Sequence, residues 1–456
     1  MGDYDSYGNA LFGDKRLSKR LPTILEQLSS DTTASISAAC GDPYQAKAIY
    51  RFLANEGTTV ERIVQVAHDV TIGNIYTVRP AVLLLVQDTV EINYSGLKMT
   101  GGLGNIGTKK SSLGILGHTS LAIGEDGEVF GMMAQKLWTR PPEEHGKSKS
   151  RKNLPIEEKE SYKWLETMMN AEAAFPEGTL AVHVCDREGD IYELFQLAEE
   201  KGAHYLCRRT YNRLTESDDG NIKLDDFLAG RPVAGTATVN VPRDSHTGRL
   251  AREAALEIRY GKCLVKKPRT SGKDVGLPKT VEVYAISAVE INPPEGQEGI
   301  SWQLVTNVPA GSFDDAVRML HWYTLRWRIE LFHKTLKSGC TVEELQSVSA
   351  ERLMKLIAVY SIIALQIMSL SYVARTNPDK SCEKYFEKDE WKILYKVANK
   401  TKDLPETPPT ILEAVVMVAK LGGFLARKSD GFPGVKVMWK GLTKFYTILD
   451  AAAFLA

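Results

Sequence analysis

The chain has 456 residues, in which 57 Lys and Arg side chains balance 57 Asp and Glu side chains. Apolar residues make up 43% and charged residues 25% of the chain, so the composition excludes a disordered chain, a collagen and a disulfide-rich miniprotein. The zero net charge also excludes a generally basic protein that coats nucleic acid, so any nucleic-acid binding must come from positive charge gathered locally. The length allows about three domains.

The N-terminal segment, residues 1–62, reads as helical. Apolar residues recur at helical spacing from Leu17 to Leu28. The first turns of this helix carry four positive charges, on Lys15, Arg16, Lys19 and Arg20. A solvated helix face and a nucleic-acid-binding face both fit the pattern, because nearby acidic residues balance the charge of the segment as a whole.

From residue 80 the sequence pattern changes from helix to strand. The apolar run Ala81–Val86 leads into Gln87-Asp88, and the apolar run Thr179–Cys185 leads into Asp186. Continuous apolar runs of this length are typical of strands buried on both faces, and open α/β sheets place their chemistry at the carboxyl ends of such strands. A single Asp at a strand end is usually a turn or cap residue, whereas two together favour a site.

Strands that alternate with helices indicate an α/β domain. Asp190 and Glu193 resemble a capping box and predict a helix over 191–200. Residues 210–305 then interrupt the alternation with β-rich sequence punctuated by Gly and Pro, and long insertions of this kind usually carry function. Helical sequence dominates from there to the end of the chain.

The cysteines and one long uncharged stretch point to structural roles and not to a functional site. The six cysteines lie far apart with no C-x-x-C pair, which argues against a disulfide framework or a zinc knuckle and predicts reduced thiols. The uncharged stretch Leu356–Ala374 is long enough to cross a bilayer, but polar residues interrupt it. We therefore predict a buried core or interface helix there.

The segment 314–339 is predicted to form one helix with a charged stripe beside an apolar one. At about 100° per residue, one stripe collects a tyrosine, an acid and three bases. These residues are Tyr323, Arg326, Glu330, Lys334 and Lys337. A surface ladder of ion pairs gives the same pattern. Three acids from two strands and one helix would instead suffice to hold two Mg²⁺ ions for phosphoryl transfer, with the bases gripping phosphates.

The spacing Tyr323-x2-Arg326-x3-Glu330-x6-Lys337 is the YREK signature of bacterial cut-and-paste insertion-sequence transposases. The chain resembles the transposon-five (Tn5) group of the IS4 superfamily over essentially its whole length. Besides residues 323–334, the matching runs are Tyr50–Phe52, Gln87–Thr89, Val184–Asp190 and Leu421–Phe424.

The resemblance implies a fold and a reaction. The fold is α/β, with an RNase H-like mixed-sheet catalytic core over 63–376 that carries a β insertion at about 210–305. A helical DNA-end-binding domain over 1–62 precedes the core, and a helical dimerisation domain over 377–456 follows it. The catalytic, metal-binding acids would be Asp88, Asp186 and Glu330, with two Mg²⁺ ions for which Mn²⁺ substitutes. The enzyme would nick the 3′ end of the transposon strand, form and open a hairpin, and join the 3′-OH to target DNA.

The resemblance also implies roles in DNA binding. Tyr323, Arg326 and Lys337 would hold the backbone of the non-transferred strand, with Lys334 beside them. Trp302 would stack on a base flipped out of the transposon end, although a core strand Trp is the alternative. Arg208, or its neighbour Arg209, would touch hairpin DNA. The end-recognition positions are Arg16, Arg20 and Arg51, and Leu17 departs from the family pattern because a basic residue is expected there.

The partners implied are double-stranded DNA, as transposon-end inverted repeats and as target, and a second copy of the chain in a synaptic homodimer. No membrane is implied, and the expected location is the bacterial cytoplasm, at the nucleoid when bound to DNA. Two other functions remain open. One is an RNase H-like DNA nuclease without strand transfer, and the other is a DNA-binding regulator descended from a transposase, against which the intact acids argue.

Overall fold

The computed structural model describes residues 4–9, 12–109, 111–141, 154–217, 220–241, 251–268, 278–386, 388–427 and 430–455. Parts of the predicted β insertion, at 242–250 and 269–277, therefore lie outside the described residues. The helices are α1 (Lys15–Ser30), α2 (Ile36–Cys40), α3 (Pro43–Ala54), α4 (Val60–Val78), α5 (Tyr162–Ala171), α6 (Tyr192–Lys201), α7 (Leu224–Ala229), α8 (Phe313–Leu325), α9 (Trp327–Lys334), α10 (Ala350–Thr376), α11 (Lys388–Asn399), α12 (Ile411–Leu421) and α13 (Val435–Leu455).

The described strands form a mixed sheet, and with the helices they make the mixed α/β fold that the sequence predicted. They are β1 (Val82–Asn93), β2 (Gly104–Asn105), β3 (Leu113–Gly124), β4 (Val129–Trp138), β5 (Leu180–Cys185), β6 (His204–Arg208), β7 (Leu214–Ser217), β8 (Gly220–Lys223), β9 (Gly235–Val241), β10 (Arg252–Lys266), β11 (Thr280–Glu290) and β12 (Ser301–Thr306). The arrangement is consistent with an RNase H-like core flanked by helical domains.

The chain divides into two compact units. Unit 1 comprises residues 1–79, 89–145 and 328–456, and unit 2 comprises residues 80–88 and 146–327. The strand β1 passes from one unit to the other between Asp88 and Thr89.

Unit 2 is built on parallel strands. Val82–Val86 of β1 pair in parallel with Leu180–Val184 of β5, and β5 pairs in parallel with β6. Leu83–Val86 of β1 and Val182, Val184 and Cys185 of β5 are buried, as expected for strands covered on both faces. This parallel pairing places the residues that follow Val86 and Val184 at the same edge.

The segment predicted to be β-rich contains strands β7 to β12, which pair in antiparallel fashion. The strand β12 returns to the core of unit 2 by pairing antiparallel with β6, so that Leu304 lies opposite Arg208. The return brings the start and the end of the inserted segment together at the paired strands β6 and β12, of which β6 also pairs with β5.

Unit 1 is mainly helical and is organised around α10. By length and composition alone this helix could cross a membrane, since its most apolar 18-residue stretch has a mean hydropathy of 1.9. However, 89% of that stretch is buried inside the protein. It packs against β4, α4 and α12. The prediction of a buried core helix is therefore confirmed.

Candidate active site

The first two predicted acids lie where the pairing of β1 and β5 ends. Asp186 directly follows β5 and caps a short 3-10 turn over Arg187–Gly189, its carboxylate accepting the Glu188 backbone N–H at 2.8 Å. Asp88 comes two residues after Val86, the last residue of β1 paired with β5. Asp88 does not end its strand as expected, however, because β1 continues to Asn93.

Arg326 brings positive charge to both carboxylates. Its Nη1 lies 3.4 Å from Oδ2 of Asp88, and the guanidinium is largely buried. Burial raises the pKa of the Asp186 carboxyl, while the backbone N–H of Glu188 and the charge of Arg326 act in the opposite direction. A buried carboxylate therefore lies beside a cationic side chain. A bound metal ion would stabilise the charged carboxylate in the same way, and Arg326 could bind a phosphate instead.

The aromatic part of the site surrounds Tyr323. This side chain is buried in α8, and the Trp302 ring meets it edge-on with the ring centroids 5.5 Å apart. The guanidinium of Arg326 lies 5.8 Å from the centre of the Tyr323 ring. Burial raises the pKa of Tyr323, and the charges of Arg326 and Arg208 oppose that rise. Unit 2 thus gathers Asp88, Asp186 and these four residues in one neighbourhood.

Trp302 is 7% exposed on β12, opposite Ala288 of β11. The neighbouring Arg208 ends β6 and donates from Nη2 to the Ser301 carbonyl at 3.0 Å. The indole therefore packs as part of the unit 2 interior and also contacts Tyr323, a residue of the YREK signature.

The prediction of one continuous helix over 314–339 is wrong in two places. The helix breaks at Arg326, whose N–H donates to the Tyr323 carbonyl in a tighter turn, and α9 begins at Trp327. Residues Thr335–Gly339 then form a π-helical turn, closed by the Cys340 N–H on the Thr335 carbonyl at 2.9 Å. Short π-helical turns are often found at functional sites.

The remaining signature residues lie in unit 1. Glu330 and Lys334 are exposed on α9. Lys337 lies in the π-helical turn, and its Nζ is 3.0 Å from Oε1 of Glu343. The same Glu343 oxygen accepts the backbone N–H of Asn93, the last residue of β1, at 2.8 Å.

The three N-terminal arginines lie in helices of unit 1. Arg16 is exposed and pairs with Asp14, the N-cap of α1, at 2.8 Å. Arg20 donates to Oε1 of Gln45 at 3.3 Å, and Arg51 is exposed near the end of α3. All three therefore belong to the predicted end-recognition segment, on neighbouring helices.

Asp190 has a role that the sequence interpretation missed. It does not cap α6, whose N-cap is Ile191. Its fully buried carboxylate instead pairs with Arg213 and accepts the backbone N–H groups of Thr210 and Tyr211 at 2.6 and 2.8 Å. Asp190 thereby fixes the segment that follows Arg208. The signal available in the sequence was its place in the Val184–Asp190 motif, alongside Asp186.

The donor chemistry at the strand edge fits a hard divalent cation, since Mg²⁺ prefers carboxylate oxygens. Asp88 and Asp186 supply such oxygens at adjacent strands, and the cationic Arg326 is drawn to them. Within the part of the chain that the structure describes, no group of three or more His, Cys, Asp or Glu side chains is arranged to hold a metal ion. The third predicted acid, Glu330, belongs to unit 1.

Two family models match the chain. The model described as Transposase DNA-binding matches residues 5–58, and the model described as Transposase Tn5 dimerisation domain matches residues 362–456. The first match covers α1 to α3, and the second covers the C-terminal part of α10 together with α11 to α13. Together the two matches support a Tn5-like transposase of the IS4 family, with a DNA-binding domain at its N-terminal end and a dimerisation domain at its C-terminal end.

Proposed function

We propose that the chain is a cut-and-paste transposase that cleaves the inverted repeats at transposon ends and transfers the resulting 3′-OH to target DNA. Cleavage would proceed by nicking and by the formation and opening of a hairpin. The observation that supports this most directly is the meeting of Asp88, Asp186 and Arg326 beside β1 and β5, in a chain that carries transposase DNA-binding and dimerisation domains.

Asp88, Asp186 and Glu330 would hold two Mg²⁺ ions, with Mn²⁺ as a substitute. When bound, such a pair of ions activates the attacking oxygen and stabilises the leaving oxygen of a phosphoryl transfer. The three carboxylates contribute by fixing where the scissile phosphate lies. Burial raises the pKa of the Asp186 carboxyl, so a bound cation would add to the stabilisation that the Glu188 backbone N–H and Arg326 already give its charged form.

Arg326 would move from a carboxylate to a phosphate when DNA binds. A guanidinium matches the two oxygens of either group, and its contact with Asp88 at 3.4 Å is long for a charged hydrogen bond. Tyr323 would bind the backbone of the non-transferred DNA strand through its hydroxyl. Lys337 and the exposed Lys334 would contact phosphates further along the non-transferred strand.

Arg16, Arg20 and Arg51 would grip the phosphates of the transposon end, and Arg208 the hairpin. The dimerisation domain would join two end-bound chains in a synaptic complex, so that each chain acts on DNA held largely by the other. We place this activity in the bacterial cytoplasm, at the nucleoid.

Trp302 would accept a base flipped out of the transposon end. We expect Trp302→Ala to slow hairpin formation about 5- to 150-fold more than the first nick, because aromatic stacking is worth roughly 1–3 kcal/mol per base. Single-turnover cleavage of an end duplex measures both steps on one gel.

Two controls separate stacking from packing, since removing an indole that is 7% exposed also leaves a cavity. Trp302→Phe keeps an aromatic face and should recover most of the hairpin rate. Trp164→Phe alters a buried indole of the unit 2 core and should show no preference between the steps. Equal slowing of both steps by Trp302→Ala would assign this residue to the core.

Strand transfer distinguishes a transposase from a nuclease of the same fold. Full-length protein is mixed with pre-nicked end duplexes, Mg²⁺ and a supercoiled target plasmid, and joined products are scored on a gel. We expect single-end and double-end joining that is absent from the Asp88→Ala protein. Cleavage of end DNA without any joined product would instead favour an RNase H-like nuclease.

A further inference from the structure

A chain of hydrogen bonds runs through the interior of unit 2 directly beside the first acid. The amide Nε2 of Gln87 lies 3.1 Å from Nδ1 of His183, and Nε2 of His183 lies 2.9 Å from Oε1 of Glu172. Gln87 and His183 are buried, at 0% and 1% exposure. Since an amide nitrogen only donates, Nδ1 accepts from Gln87 and the Nε2–H of His183 donates to Glu172.

This chain joins the two strands that carry the acids. Gln87 precedes Asp88 on β1, and His183 lies on β5 three residues before Asp186. The paired residues of β1 and β5 end at Val86 and Val184. Beyond the last pair, the side chain of Gln87 adds a further link between the strands, because it bonds to His183, which lies opposite Leu85.

The geometry also keeps the chain of hydrogen bonds away from the substrate. Successive side chains on a strand point to opposite faces, so Gln87 faces away from Asp88. Burying a Gln and a His costs free energy unless both are hydrogen-bonded, and these two satisfy each other. An apolar pair would fill the same space without linking β1 to β5 in a fixed direction.

We infer that Glu172, His183 and Gln87 form a positioning relay that fixes the end of the β1–β5 pairing and thereby the spacing and orientation of Asp88 and Asp186. Gln87 and His183 act through the backbone of the two strands and touch neither metal nor DNA. The inference rests on the proposed function, because it concerns the fit of two carboxylates around a divalent cation.

The test measures Mn²⁺ binding to the full-length protein by electron paramagnetic resonance, without DNA. Gln87→Met keeps the side-chain length and removes the amide. Its matched control is Gln135→Met, which removes a Gln amide that donates to Thr119 and Ser361 in unit 1. We expect the Mn²⁺ dissociation constant to rise about 10-fold in Gln87→Met, as is typical when a group supporting a metal ligand is lost. In Gln135→Met it should stay within about 2-fold of the wild type, while the melting temperature falls in both.

A second pair of variants does not depend on filling the core. Glu172 is partly exposed, so Glu172→Ala removes the outer end of the relay with little risk to folding. Glu172→Gln keeps an oxygen that accepts from His183 and should restore wild-type Mn²⁺ binding. In the double variant Gln87→Met/Glu172→Ala, the two effects should fall short of additive, because both variants break one chain of hydrogen bonds.

The outcomes separate the inference from the function on which it rests. Mn²⁺ affinities of Gln87→Met and Glu172→Ala equal to those of the wild type and Gln135→Met would overturn the positioning role, and would leave the transposase proposal intact if Asp88→Ala still loses the metal. If the Asp88→Ala protein binds Mn²⁺ as tightly as the wild type, both the positioning role and the proposed metal site are overturned.

Discussion

Asp88→Ala and Glu330→Ala proteins are each expected to bind transposon-end DNA with nearly wild-type affinity and to fail to nick it at any Mg²⁺ concentration. The reason is that, in the proposed mechanism, the carboxylate at each position would hold the ions that stabilise the developing charge. Losing such a ligand removes several kcal/mol of transition-state stabilisation, or more than about a 10³-fold decrease in rate. End binding depends on phosphate contacts elsewhere and does not need these acids.

The measurement is a gel-shift titration paired with a nicking assay on the same end duplex. Glu253→Ala is a suitable control, because Glu253 is an exposed carboxylate on β10 and is not among the predicted site residues. It should nick at the wild-type rate. Full cleavage by either Asp88→Ala or Glu330→Ala would show that the altered residue is not a catalytic acid.

A second large effect is expected from Asp190→Ala, which should lower the free energy of unfolding by about 3–5 kcal/mol. The carboxylate is fully buried and pairs with Arg213, whose side chain is 7% exposed. Removing the acid leaves a buried guanidinium unpaired, and it leaves the backbone N–H groups of Thr210 and Tyr211 without their acceptor. Urea unfolding followed by tryptophan fluorescence measures the loss.

Two companion variants identify the cause. Glu257→Ala breaks a partly exposed pair with Arg259, whose side chains are 36% and 30% exposed, and should cost less than about 1 kcal/mol. The double variant Asp190→Ala/Arg213→Met removes both charges and should recover part of the loss, since the unpaired cation is then gone. A loss below about 1 kcal/mol for Asp190→Ala would mean that water reaches Arg213 and that the pair is not an anchor.

The sequence predicted the parts of the site that follow from short-range patterns. The apolar runs before Asp88 and Asp186 predicted two buried strands, and these strands pair in parallel. The apolar character of Leu356–Ala374 predicted the buried helix α10. Such patterns suffice because burial on both faces leaves a continuous apolar run in the sequence.

Other parts depend on partners that are remote in the chain. Asp190 was interpreted as a helix cap because Glu193 follows it, yet its partners lie about twenty residues later, at Thr210, Tyr211 and Arg213. The bond between Gln87 and His183 spans 96 positions and needs the register of two strands. The break at Arg326 was missed because the residues around it are ordinary helix formers, and tertiary contacts outweigh propensity there.

The π-helical turn over Thr335–Gly339 changes how the YREK signature should be understood. A turn closed from Cys340 to Thr335 holds one more amino acid than the usual coil, so the azimuth of Lys337 differs from the one obtained by counting along an ideal helix. The six residues between Glu330 and Lys337 therefore include part of a π-helical turn, and their number sets the direction of the Lys337 side chain as well as its distance from Glu330 along the chain. In a relative with fewer residues between the glutamate and the lysine, a different backbone geometry would be needed to give the lysine side chain the same direction.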